Sequence, residues 1–195
     1  MPYSAEHKQR TRTKIIEAAR ILFNRHGFQD VTIDMVMKNA GLTRGGFYNH
    51  FETKEQLHRD AVSSFLEGRG AEWRENAGVD PRLPGRDMVR EMISGYLSSE
   101  HLDDIDGQCP MIALPSDIAR SNPQVQASYL ELLETMVGLF EKGIDKEAGE
   151  SRQQALSMAA LCVGGMVIAK SLPDSELAEE VRNAAQSFAL SLVAN

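Results

Sequence analysis

Cysteine is almost missing from this chain: 195 residues carry two, Cys109 and Cys162. A single pair cannot build the cross-linked framework of a small secreted domain, so a reducing compartment is expected. Long apolar runs are short as well. The longest, Ala155 to Ala169, has 15 residues, below the roughly 20 that a spanning helix needs. The opening segment MPYSAEHKQRTRTK is polar and basic with no apolar core, which predicts no secretory signal and a cytoplasmic protein with no membrane partner. The five histidines have no ligand spacing, and neither a Gly-rich nucleotide loop nor a nucleophile–His–acid set can be found. No metal site, no cofactor and no enzymatic activity are therefore expected. Asp104-Ile105-Asp106-Gly107 has the look of a calcium loop, but Leu102 and Ala113 stand where its first and last ligands belong.

What is present is an ordinary core composition, 42% apolar and 25% charged, in a chain long enough to bury it without staples. The charge is unevenly placed. The formal total is −7, yet residues 1–55 carry 9 Lys and Arg against 6 Asp and Glu, whereas residues 56–195 carry 12 against 22. An acidic body with a basic head implies that the head alone meets a polyanion.

Helical periodicity runs through the chain and no convincing strand alternation appears, so the fold class is all-α. The first helix is expected from Gln9 to His26, with Ile15, Ala18, Ala19, Leu22 and Phe23 on one stripe and Gly27 as its cap. Two short helices follow, Ile33–Asn39 and Arg44–His50, with Thr32 and Thr43 at their N-cap positions. Thr53-Lys54-Glu55-Gln56 is a capping box opening a helix expected to reach Asn76. Pro81 and Pro84 interrupt, and Met88, Met92 and Tyr96 mark the next helix. Cys109–Arg120 reads as one short helix disturbed by Pro115, and Pro123 opens a long helix with Val125, Tyr129, Leu132, Met136, Phe140 and Ile144 inward. Residues 152–170 are apolar almost all round, and Leu177, Val181, Ala184, Phe188 and Leu192 repeat at helical spacing. A helix of that kind must be covered on every side, and a self-complementary pair at the C-terminus suits a two-fold dimer.

The two short helices are joined by Asn39-Ala40-Gly41-Leu42, the layout of a helix-turn-helix. Val36, Ala40, Leu42 and Phe47 would pack the pair against the first helix and Phe51, leaving Arg44, Gly45, Tyr48, Asn49 and His50 on the exposed side. A short second helix of this kind enters the major groove by its N-terminus. Gly45 and Gly46 weaken a helix by ~1 kcal/mol each relative to alanine, a cost that stability alone does not explain but close approach to a duplex does.

The segments Ile15–Ala19, Ile21–Phe23, Gly27-Phe28, Val31–Ile33, Ala40–Phe51 and Lys54–Leu57 together resemble the DNA-binding domain of the TetR (tetracycline-repressor) family. The resemblance implies an N-terminal three-helix DNA-binding domain over 1–55 and a larger helical effector-binding and dimerisation domain over 56–195. It places Thr32, Tyr48 and Lys54 where family members contact phosphates, and Thr43, Arg44, Gly45 and His50 on or beside the base-reading helix. The chemistry agrees: an arginine can pair with a guanine edge, and a tyrosine hydroxyl and a lysine suit phosphate oxygens. Lys8, Arg10, Arg12 and Lys14 add further cations. The implied function is a transcriptional regulator, of the repressor type, that binds a palindromic operator on double-stranded DNA as a homodimer and is released by a small-molecule effector.

For that effector the expected pocket residues are Phe65, Trp73, Met92, Tyr96, Met111, Met136 and Phe140, each with plain core packing as its other reading. Cys109 also has two readings. At the start of a helix its thiol could be activated as an electrophile or redox sensor, as in some members of the family it resembles; otherwise it is a small apolar residue. Cys162 is expected to be inert core. The competing class for the whole chain is an all-helical ligand or protein adaptor without specific DNA binding.

Overall fold

The computed structural model of the protein describes residues 5–144 and 148–194. The first four residues of the basic opening segment, and the ends of the two expected domains at 1 and 195, lie outside them. The described residues are helical throughout, without a strand.

Helix α1 (Ala5–Asp30) buries the expected stripe of Ile15, Ala18, Ala19, Leu22 and Phe23. It begins earlier than expected, and Gly27 breaks its helical geometry with φ 76° and ψ 168°. Helix α2 (Ile33–Asn39) is capped by Thr32, whose hydroxyl accepts from Met35 N at 3.2 Å. The turn after it uses Gly41 at φ 68°. The second short helix is a correction: Arg44–Asn49 is a single 3-10 stretch. Gly45 and Gly46 favour no α-helix there, and Thr43 at its N-cap makes no side-chain capping bond. Phe47 anchors this turn in the core, stacked on Phe51 at 5.5 Å.

Helix α3 (Lys54–Ser63) opens on the capping box, with Gln56 N donating to Thr53 Oγ1 at 3.0 Å and Gln56 Oε1 accepting from Glu52 N at 2.7 Å. It stops well short of Asn76, and a separate α4 (Arg69–Asn76) follows. The cause is the wide turn between them, closed by Gly70 N donating to Phe65 O at 2.8 Å. A side chain at Gly68 or Gly70 would strike the carbonyls of Ser64 and Phe65, at 2.8 and 2.6 Å. Periodicity cannot register such a turn, because both flanking segments are helical.

Helices α5 (Arg86–Tyr96), α6 (Ser99–Asp103), α7 (Pro110–Ala113) and α8 (Pro115–Ala119) then lead to α9 (Pro123–Glu141). The expected single helix over Cys109–Arg120 is two, each opened by its own proline. Asn122 caps α9 through Val125 N at 3.0 Å. Val125, Leu132, Met136 and Phe140 are buried as expected, while Tyr129 and Ile144 are half-buried.

The last pair, α10 (Ala148–Ser171) and α11 (Glu176–Ala194), packs closely where Gly165 meets Ala185; a Cβ there would lie 2.9 Å from that methyl. From Gly149 to Ser171 this helix has the length and mean hydropathy, 1.3, of a spanning segment, longer than the 15-residue run suggested. Its Ala155, Met158, Ala159, Cys162 and Met166 are nonetheless buried against the rest of the chain. It is not covered all round: Leu156 and Ile168 are exposed. On α11 the expected stripe divides: Leu177, Ala184 and Phe188 face outward, while Val181 and Leu192 are half-buried. Ala178, Ala185, Ala189 and Val193 are buried, whereas Leu177 and Phe188 are 60% and 59% exposed.

The junction between head and body is polar. Arg20, buried on α1, holds Glu17 in a two-point pair at 2.9 and 2.6 Å and donates to the Asp106 carbonyl. Asn24 donates to Gln108 O at 2.8 Å, and Arg25 grips the Asp106 carboxylate at 2.5 and 2.6 Å. Phe28 N donates to Asp117 Oδ2 at 2.9 Å. The acidic stretch before Cys109 is thus a docking loop, held from the other side by an Arg69–Asp104 pair. Division of the chain between residues 55 and 56 would fall inside α3, which packs on both α1 and α9.

Candidate nucleic-acid interface and interior cavity

The exposed edge of the head is built by the two short elements. Phe47 is fully buried, so its neighbours in the 3-10 turn point the other way. Thr43, Arg44 and Gly45 are exposed, and Tyr48 is 62% exposed, held edge-on against Phe47 at 5.2 Å. A Cβ at Gly45 would meet nothing within 4 Å, so the surface is open there. The Arg44 guanidinium reaches Asp34 Oδ2 at 2.5 Å, with both side chains more than half exposed. An exposed pair of this kind contributes little to stability and can exchange for a better acceptor.

Thr32 and Lys54 flank this edge. Thr32 is exposed, with its hydroxyl engaged in the cap of α2. Lys54 is half-buried: its Nζ sits 4.2 Å over the Phe28 ring and donates to Gln29 O at 3.4 Å. Burial lowers its pKa, with Glu55, Asp117 and Asp30 opposing. His50 is half-buried in a groove of about 430 Å³ between the start of α1 and the turn, beside Lys8, Thr11 and Asn49. Its Nδ1 is buried without a partner, and burial followed by the Lys8 and Arg12 charges lowers its pKa. The four basic residues in the first half of α1 divide. Arg10 pairs with Glu6 at 2.5 Å; Arg12 pairs with Asp60 and lies 4.8 Å over Phe51, which makes it an anchor; Lys8 and Lys14 are exposed.

The body holds a separate interior cavity of about 40 Å³ between the turn after α3 and helices α4, α5, α6, α7 and α9. Six of the expected residues line it together: Phe65, Trp73, Met92, Tyr96, Met111 and Met136. Phe140 does not; it is fully buried elsewhere in the core. The structure adds Arg74, His101 and Cys109 to the wall. Arg74 and His101 carried no sequence signal, being polar residues in otherwise ordinary helices. Trp73 meets Tyr96 edge-on at 5.9 Å and His101 at 5.2 Å.

Cys109 precedes α7, a helix of four residues, and is 2% exposed. The expected helix-terminus activation is outweighed: burial pushes the thiol up to about 11. It is therefore protonated near neutral pH, and Cys162, buried in α10, is held protonated for the same reason. Among the described residues no group of His, Cys, Asp and Glu is placed to hold a metal ion.

A three-helix head with a solvent-facing turn, set on a larger helical body, defines a helix-turn-helix DNA-binding regulator. Comparison with known proteins gives the family that its head matches. Residues 15–61, the head with its helix-turn-helix, match the model of the bacterial regulatory proteins, tetR family. It is 27% identical over 148 residues to the uncharacterized HTH-type transcriptional regulator YfiR of Bacillus subtilis, covering 72% of this chain and 69% of that one. It is 29% identical over 119 residues to the HTH-type transcriptional regulator UidR of Escherichia coli, covering 61% of this chain and 57% of that one. Its fold is that of E. coli NemR in its reduced form, with a TM-score of 0.74, 17% identity, and coverage of 93% of this chain and 96% of the other. A TetR transcriptional regulator from Legionella pneumophila is similar in fold, with a TM-score of 0.72, 16% identity, and coverage of 96% and 99%.

Proposed function

We propose that this regulator is a repressor that binds a palindromic operator as a homodimer and leaves it when a small molecule occupies the cavity of the body. The exposed edge of the 3-10 turn carries the reading. Thr43, Arg44 and Gly45 lie before the buried anchor Phe47 and Tyr48 directly after it, where Tyr48 presents a large aromatic side chain with 62% exposure. Packing supplies no reason for that exposure. In the complex Arg44 exchanges Asp34 for a base edge, Thr43 and Gly45 approach the groove beside it, and His50 borders them. Thr32, Tyr48 and Lys54 bind phosphates.

The dimer forms through the outward faces of α10 and α11, where Leu156, Ile168, Leu177 and Phe188 are exposed and Gly164 leaves room for a second backbone. Two-fold pairing sets the heads about 34–36 Å apart, one duplex turn. The effector works because the cavity wall and the head share a loop. Cys109 and Met111 line the cavity, and the residues just before them hold Arg20, Asn24 and Arg25 of α1. A ligand that enlarges the cavity displaces this loop and moves the head off spacing, provided it favours that state over the DNA-bound one. With the Cys109 thiol protonated, reversible occupancy is the reading adopted here over thiolate chemistry.

The test is selection of bound duplexes from a random pool at moderate salt. Enrichment of a two-fold symmetric motif is expected. Binding no better than that of a charge-matched control would replace the regulator by a helical adaptor.

A further inference from the structure

Two buried polar atoms in the cavity lack an oxygen or nitrogen partner among the described residues: the Tyr96 hydroxyl, which has only the Cys109 thiol beside it, and His101 Nε2. Their residues are 3% and 4% exposed, and both line the cavity with rings edge-on at 5.0 Å. Leaving such groups buried and unsatisfied is costly. Their hydrogen-bonding senses follow from the surroundings. His101 Nδ1 lies 2.9 Å from the Tyr96 carbonyl oxygen. A carbonyl can only accept, so Nδ1 carries the proton, and in the neutral ring Nε2 is then a lone-pair acceptor. Burial lowers the imidazole pKa and keeps the ring neutral. Tyr96 stays a phenol, because burial raises its pKa well above the usual value. The cavity therefore offers the Tyr96 O–H and the His101 acceptor nitrogen side by side, in a wall that is apolar apart from Thr135, Arg74 and the Cys109 thiol. Arg74 at the same wall donates to Leu66 O at 2.8 Å, and no carboxylate of the described residues pairs with it. That uncompensated cation makes the cavity hostile to cationic ligands.

Resting on the effector reading above, we propose that this cavity takes a small uncharged hydroxyl compound with a flat apolar body, of which phenol is the simplest case. One hydroxyl donates to His101 Nε2 and accepts from Tyr96 Oη, while the ring lies against Phe65 and Trp73. Other small polar groups do less. A carbonyl satisfies Tyr96 and leaves Nε2 bare, a carboxylate sets lone pairs against it, and an ammonium group meets Arg74. At about 40 Å³ the cavity is too small for a ring until Met92, Met111 and Met136 shift, which unbranched thioether side chains do readily. Occupancy is thus tied to movement of Met111, three residues beyond Gln108, whose carbonyl accepts from Asn24 of α1.

The experiment titrates the whole protein with phenol, toluene, benzoate and benzylammonium by calorimetry, with emission from Trp73, the single tryptophan, locating the ligand. Phenol is expected to bind at least about tenfold more tightly than toluene and than either ion. Tyr96→Phe, which removes a hydroxyl whose one neighbour is the weakly bonding Cys109 thiol and should nearly keep its thermal midpoint, is expected to bring phenol close to toluene and leave toluene unchanged. Toluene equal to phenol in the parent protein, or benzoate tighter than phenol, overturns the proposal. No heat and no change in emission with any of the four also overturns it and assigns the two atoms to bound water. A parallel operator-binding assay separates the two readings. Phenol that binds as expected but leaves DNA affinity unchanged supports the ligand class and removes the cavity as an effector site. A ligand without a hydroxyl that fills the cavity as tightly as phenol and releases DNA does the reverse.

Discussion

Tyr48 and Arg44 share one exposed edge but differ in what they can read. A tyrosine hydroxyl donating to a phosphate oxygen carries no sequence information, whereas a guanidinium spanning a guanine edge does. Tyr48→Phe should therefore weaken binding by about tenfold on every duplex. Arg44→Ala should cost about 1–3 kcal/mol, concentrated at one base pair of each half-site. Affinities across single-base operator variants check both; a Tyr48→Phe loss confined to one position would remove its phosphate role. His58 makes a prediction of another kind. It is fully buried between Phe23 and Phe28, both ring nitrogens lack partners, and burial pushes its pKa down to about 4 from 6.5. The unfolded chain takes up a proton between these two values that the native state refuses. Stability is complete above the unfolded value and is lost as the pH falls from 6.5 towards 4, by as much as about 3 kcal/mol. His58→Leu should flatten that dependence in urea titrations at about pH 7 and about pH 5. The slope that remains would include His101 and His50, whose pKa values burial also lowers. An unchanged slope would remove His58 from the acid response.

At the scale of elements, the end of α1 decides how the head sits on the body. Gly27 holds φ 76°, and a Cβ there would lie 3.0 Å from Asp117 Oδ2, the atom that accepts from Phe28 N. Gly27→Ala should cost about 1–2 kcal/mol through the backbone alone. It should also loosen the junction, read as a lower thermal midpoint together with faster exchange of the Phe28 amide. An unchanged midpoint with unchanged exchange would mean that the junction is set by Arg20, Asn24 and Arg25 instead. Much of the head was legible from sequence because its signals are local: the stripe of α1, the Thr32 cap and the Thr53 capping box each lie within one turn of what they stabilise. The break at Ser64–Gly68 was not legible, since the turn depends on two carbonyls that only glycine can approach.

For the whole molecule, the proposed dimer rests on the outward faces of α10 and α11. Phe188 is 59% exposed in the single chain, so Phe188→Glu leaves the fold of each protomer intact. It should yield a folded monomer by sedimentation with an unchanged circular dichroism spectrum. Operator affinity should drop on the order of 100-fold, because each head then binds without its tethered twin. A variant that stays dimeric would remove this face from the interface.

Residue order by itself determined that the chain is helical, where the helix-turn-helix lies, and that its head is basic on an acidic body. Periodicity, caps and charge are properties of neighbours along the chain. Tertiary structure decided what covers each face. Part of the apolar stripe read on α11, Leu177, Ala184 and Phe188, proved to lie on its outer side, because Ala178, Ala185, Ala189 and Val193 are the residues buried against the rest of the body. It also decided which polar residues go inside. Arg20, Asn24 and Gln108 are buried because their partners lie more than sixty residues away in sequence. His101 is buried because α5 and α9 close a cavity around its ring. An apolar or polar pattern states that a face exists; only the packed chain states what it meets.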